Sequence, residues 1–235
     1  MSFPKTAVLI SCYKRPEYTE LCLKSIYETE DYRNVTFYLV DEGCNFDILK
    51  KYARPQDIIS KHDYPHGLRN TIIEFIEWAR KENIEIISKV DNDCIVPKDW
   101  LTDLINILVD CKVDILSPNV SETQAAFKYG KDDTYGFGFR PSNFVGGLWT
   151  MWTRLTDGIF LERTDTHGII GAFPLLHQII KLQEEKPIIG WTDKVTFEDV
   201  GHWGGSHRNH IKSEGHMAYS NEVGRPISWT VEAGA

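Results

Sequence analysis

The sequence predicts an α/β fold, a three-layer α/β/α sandwich around a mostly parallel central sheet. Two observations predict it. Short continuous apolar runs, of the kind expected for strands covered on both faces, alternate with stretches of helical period. The ends of successive runs also carry polar residues, Tyr13, Asp41 and the Asp91-Asn92-Asp93 triplet. A strand-helix-strand-helix-strand order closes into a parallel sheet through right-handed crossovers, and such sheets bind ligands at the carboxyl ends of their strands.

Each element follows in turn. Thr6 to Ser11 is the first strand, and Pro16 suits the first turn of a helix whose apolar stripe is Leu21, Leu23, Ile26 and Tyr27. Val35 to Val40 is the second strand, ending in Asp41-Glu42-Gly43. After a polar connection, Gly67 to Lys81 repeats the helical pattern through Leu68, Ile72, Ile73, Phe75, Ile76 and Trp78. The third strand, from Ile84, ends at Asp91. Pro97 to Val109 reads as a helix and Val113 to Ser117 as a strand. Phe127 to Phe144 lacks a sustained period and reads as a loop or hairpin over the site. A helix over Phe173 to Glu185 follows, with Pro174 at its first turn.

With 235 residues the chain has ample length to bury a core. Its apolar stretches are far shorter than a membrane span, and it opens on no charged-then-apolar leader, so the expectation is a cytoplasmic protein without a membrane partner. Five cysteines, Cys12, Cys22, Cys44, Cys94 and Cys111, show no paired metal spacing and read as small buried hydrophobes. The net charge of -8 disfavours broad electrostatic capture of nucleic acid, while leaving room for a local basic groove.

Asp91 and Asp93 sit one residue apart where a buried strand turns toward solvent. Mg²⁺ or Mn²⁺ takes one or two carboxylates and leaves its other positions to substrate phosphates. The bland alternative is a strand cap, since Asp and Asn favour turns. Neither a Gly-x-x-x-x-Gly-Lys-Ser/Thr loop nor a Gly-x-Gly-x-x-Gly run follows the first strand, so a bound diphosphate would need a cation and basic side chains to offset its charge.

Four segments in order, Ser11-Cys12-Tyr13-Lys14-Arg15-Pro16-Glu17, Val40-Asp41-Glu42-Gly43, Gly67-Leu68-Arg69-Asn70 and Asp91-Asn92-Asp93, resemble family 2 glycosyltransferases of the GT-A (Rossmann-like) fold. The resemblance implies transfer of a sugar from a nucleotide-sugar donor, a UDP-sugar first, with inversion. It implies Mn²⁺ or Mg²⁺ at Asp91 and Asp93, base and ribose contacts from Tyr13, Arg15, Asp41 and Asp91, and a donor pocket lined by Arg69 and Asn70. Glu42 stands where the family usually has a second Asp. The whole chain, 1–235, is then one domain, with a nucleotide-sugar-binding half over 1–95 and an acceptor and catalytic half over 96–235 that includes a C-terminal loop.

In the second half, Gly146-Gly147 resembles the family's acceptor-side segment, and Trp149 and Trp152 are read either as a stacking platform or as core. The family's acidic pair is missing at the start of the last helix, which leaves Asp165 as the leading general base, His167 as runner-up and Glu162 as a further choice. Lys186 to Trp191 and Val195 to Asp199 resemble the family's last strands; by spacing, Asp199 occupies the family's metal-binding His position, and His202 is the nearest imidazole. A competing alignment makes Glu198-Asp199 the catalytic pair. Arg208 and Lys212, in a stretch holding four histidines, are assigned to the leaving diphosphate. The acceptor is expected to be soluble: a glycan precursor or other saccharide, or a hydroxymethylated pyrimidine in DNA, as similar soluble bacteriophage enzymes modify. A nucleotidyltransferase of related topology and an inactive nucleotide-sugar-binding module are the alternatives.

Overall fold

The computed structural model describes residues 3–29, 32, 34–43, 45–63, 66–120, 139–141, 148–163 and 172–199. β1 (Thr6–Cys12), β2 (Val35–Asp41), β3 (Ile58–Lys61) and β4 (Ile86–Asp91) form a parallel block in the order β3-β2-β1-β4. β8 (Trp149–Trp152) joins β4 antiparallel, and the sheet continues through β6 (Ile115–Val120), β9 (Ile189–Asp199) and β5 (Cys94–Ile95). β7 (Phe139–Pro141) pairs with β9 off this path. The sheet is thus parallel through its first four strands and mixed beyond them.

Helices cover both faces. The β1 side chains alternate between them: Val8, Ile10 and Cys12 enter one core with α1 (Pro16–Tyr27), α2 (Phe46–Tyr52) and α4 (Trp100–Asp110). Ala7 and Leu9 enter the other, with α3 (Leu68–Lys81) and α5 (Ala172–Lys181). Two covered faces explain why the β1 run is apolar throughout rather than alternating. Burying a side chain such as Leu9 or Ile10 contributes roughly 1.5–3 kcal/mol, so a polar residue at either position would break the sheet's centre.

Two elements lie inside what the sequence offers as one polar connection, α2 and β3. Of α2 only Leu49 is buried, and no β3 residue is, so neither carries a strong apolar pattern. The last strand is a single run of eleven residues. It is irregular opposite Pro118, where Pro118 pairs with Thr192 and Asn119 with Thr196; a proline cannot donate to the ladder and is tolerated at such a bulge. Trp100 secures this side of the molecule: its indole nitrogen donates to the Tyr32 hydroxyl at 2.8 Å, and its ring meets Phe197 edge-on at 5.3 Å.

Of the described cysteines, Cys12, Cys22 and Cys94 are buried thiols. Burial pushes the Cys12 and Cys22 thiols well above their ordinary range, as expected of inert core residues. Among the described residues, no helix is long and apolar enough to cross a membrane.

Candidate active site

Register brings the sequence-predicted residues to one edge. Cys12 is paired with Asp41 and Ser11 with Asp91, so Tyr13, Asp41 and Asp91 emerge side by side from β1, β2 and β4. Adjacent strands lie about 4.8 Å apart. Asp91-Asn92-Asp93 forms the tight turn from β4 into β5, and β5 pairs with β9 so that Cys94 faces Asp199. The backbone of Asp199 therefore lies across from the residue after Asp93.

Cations of the chain itself meet both carboxylates. Arg15 Nη1 lies 2.6 Å from Asp93 Oδ2, with the two side chains only 19% and 12% exposed. Lys89, buried in β4 two residues before Asp91 and on the same face, pairs with Asp91. Lys14 and Arg15 both adopt left-handed backbone conformations, at φ 53° and 52°. For residues with a Cβ this costs roughly 1–2 kcal/mol each, and such strain concentrates at functional sites. Here the turn sits between β1 and α1 and delivers Arg15 to Asp93. Asn92 donates to the Thr19 hydroxyl at 2.8 Å, and the Cys22 thiol faces the Asp91 carbonyl at 3.5 Å, which fasten the triplet to α1.

The strand-cap reading of the triplet is incomplete, because each carboxylate directs an oxygen to a side-chain cation. An all-carboxylate oxygen set on a turn at the sheet edge fits Mg²⁺ or Mn²⁺, which favour such ligands and keep positions for phosphate. Lys89 is a member of the site that the motifs do not point to. Its signal in the sequence is a lone charge inside an otherwise apolar strand, which must be paired when buried.

Asp41 acts locally: its Oδ1 accepts the backbone N–H groups of Gly43 at 3.1 Å and Asn45 at 2.8 Å, holding the loop into α2. Glu42, the departure from the family pattern, is buried and accepts from the Ser11 hydroxyl at 3.2 Å, the Gly67 N–H at 3.3 Å and the Thr71 hydroxyl. It ties β1 and β2 to the start of α3, where Gly67 takes φ 81°, a conformation glycine adopts without a Cβ penalty. Tyr13 is half-buried beneath the Lys14 ammonium, 5.2 Å from its ring.

Arg69 and Asn70 lie in the first turn of α3. Asn70 donates to the His66 carbonyl at 2.9 Å. The buried Arg69 guanidinium reaches the Glu162 carbonyl at 3.0 Å and Gln178 of α5 at 3.2 Å, so these bonds join α3 to the second half of the chain. Trp149 is core, buried with Met151 and Leu176. Trp152 is half-buried and donates to the Val113 carbonyl at 3.1 Å. The stacking platform considered for these two rings is therefore corrected to packing. Glu162 is exposed. Asp165, His167, Gly146, Gly147, His202, Arg208, Lys212 and the side chain of Asp199 lie outside the described residues.

Residues 7–178 match the family described as glycosyl transferase family 2. The chain belongs to that family. Solved structures share the fold. The mannosyltransferase PcManGT from Pyrobaculum calidifontis, in complex with GDP-Man and Mn²⁺, is 17% identical with TM-score 0.67, over 87% of this chain and 59% of its own. GalNAc-T7 with UDP, GalNAc and Mn²⁺ is 10% identical with TM-score 0.60, over 83% and 44%. S. aureus TarS 1–349 is 12% identical with TM-score 0.59, over 83% and 60%. The chain thus spans less than two thirds of the length of each. No curated protein matches it.

Proposed function

We propose that this family 2 glycosyltransferase moves a sugar from a nucleotide-sugar donor to an acceptor hydroxyl, with the donor diphosphate seated at the Asp91-Asn92-Asp93 turn. The observation that carries this reading is the convergence of Asp91, Asp93 and Arg15 at the carboxyl edge of the parallel strands. Asp91 and Asp93 would hold the divalent ion, and Asp199 joins them as a proposed ligand because its backbone faces Cys94. When bound, that ion neutralises charge on the diphosphate and stabilises it as a leaving group.

The chain's own groups supply orientation. Arg15 is a fixed positive charge beside Asp93, placed to meet a phosphate when a cation takes over the carboxylate. Asp41 fixes the loop at the end of β2, and Tyr13 offers a ring at the end of β1 for a nucleobase. PcManGT was solved with GDP-Man and GalNAc-T7 with UDP, so both nucleotides belong in a donor test. Asp165 is the proposed base for the acceptor hydroxyl, with His167 as the second candidate, and such a base would invert the sugar's configuration.

A turnover screen tests the proposal. Labelled UDP- and GDP-sugars are offered with and without Mn²⁺, alongside acceptor pools of soluble glycans and hydroxymethylated DNA. Metal-dependent hydrolysis or transfer from at least one donor is the expected result. Absence of both binding and turnover across the panel would overturn it, and the acceptor that becomes labelled decides between glycan and DNA.

A further inference from the structure

A second cluster of ligand-type side chains stands at the other edge of the parallel block. His62 follows β3, His66 precedes α3, and Glu74 lies on α3. One ligand atom from each lies within 4.8 Å of the others. From β3 to β4 are three strand spacings, about 14 Å, so this cluster is apart from Asp91 and Asp93.

The cluster is built rather than incidental. Glu74 Oε1 accepts from the Tyr38 hydroxyl at 2.8 Å and the Ser60 hydroxyl at 3.2 Å, while Oε2 lies 3.1 Å from His62 Nε2. Metal-binding carboxylates are oriented by such hydrogen bonds. His62 is more than nine-tenths buried, and its Nδ1 has no hydrogen-bond partner among the described residues. The His66 ring stacks on it, with centroids 3.8 Å apart and planes 20° from parallel. A His–Glu hydrogen bond alone would account for His62 Nε2 and Glu74 Oε2, yet it leaves the buried His62 Nδ1 without a partner among the described residues.

We infer that His62, His66 and Glu74 form a second metal site, selective for a borderline divalent ion of the Zn²⁺ class. Two imidazoles and one carboxylate are the ligands that Zn²⁺ accepts with a further position left to water, whereas an all-oxygen set suits Mg²⁺ and Mn²⁺. The bond lengths required are about 2.0–2.1 Å, which rotation of the His66 and Glu74 side chains about their own bonds can approach, since both are only partly buried. The two sites thus differ in ion preference as well as in place.

The test is equilibrium titration of untagged, chelator-stripped protein with Zn²⁺, and with Co²⁺ as an optical probe. Wild type and Asp93→Asn each bind one equivalent that His66→Ala and Glu74→Gln lack, and the Co²⁺ form shows visible bands of a low-coordinate site. Tyr38→Phe, which removes a hydroxyl that orients Glu74, weakens binding about tenfold. Glu74→Gln keeps an acceptor for Tyr38 and Ser60, so circular dichroism should show it folded even if His66→Ala is not. No binding by wild type, or as many equivalents bound by both cluster variants as by wild type, would overturn the inference; an equivalent lost in Asp93→Asn alone belongs to the Asp91-Asn92-Asp93 turn.

Discussion

Arg15 and Asp93 form an ion pair at 2.6 Å that spans two turns of the sheet edge, one after β1 and one after β4. Because both side chains are largely buried, removing one partner leaves an uncompensated charge. Arg15→Ala should destabilise the fold by about 3 kcal/mol. Added Mn²⁺ should raise the melting temperature of Arg15→Ala more than that of wild type, because the ion and Arg15 compete for the same carboxylate. Equal metal-induced shifts in the two proteins would show that Asp93 is not where the ion binds.

Glu42 is a structural clamp in this chain. Its carboxylate gathers donors from Ser11, Gly67 and Thr71. Glu42→Ala leaves buried donors unmatched and should cost about 2–3 kcal/mol in chemical denaturation. A loss of donor affinity with unchanged stability would instead assign Glu42 to the substrate.

Acid should expose the role of Asp57. Burial by itself raises its carboxyl, but hydrogen bonds from Arg54, the Phe37 N–H and the Tyr27 hydroxyl outweigh that and hold it below its ordinary value. A carboxyl lowered on folding contributes stability that is fully present above its unfolded value, about 3.9, and is lost as pH falls through the folded value. Urea midpoints measured from pH 5 down to pH 2 should fall more steeply for wild type than for Asp57→Asn. Parallel curves would contradict the assignment.

Cys12 and Cys22 should resist alkylation in the native protein and react on unfolding, because burial disfavours their thiolates. Mass spectrometry of each cysteine-bearing peptide before and after denaturant reads this directly. Rapid native labelling of either would place the β1–α1 core nearer solvent than described.

The parallel block is legible in the sequence because both faces of β1, β2 and β4 are covered, which writes continuous apolar runs. The α2 and β3 elements are not, since Leu49 is the only buried residue of one and the other is an edge strand with no buried residue. At the site, Asp91 and Asp93 can be read from their place at a strand end. Their cations cannot: Arg15 reaches Asp93 across 78 residues of chain, a pairing that no local pattern encodes. Arg69 is a similar case, as its neighbours on α3 give no sign of the Glu162 carbonyl and Gln178 that it meets.

Calorimetric titration of nucleoside diphosphates, UDP and GDP, into wild type and Asp93→Asn, with Mn²⁺ and with chelator, reads whether a metal holds the diphosphate at the Asp91-Asn92-Asp93 turn. One nucleotide should bind wild type only with the ion present, and that binding should be lost in a folded Asp93→Asn. Equal affinity in all four conditions would contradict a metal-held diphosphate at the Asp91-Asn92-Asp93 turn.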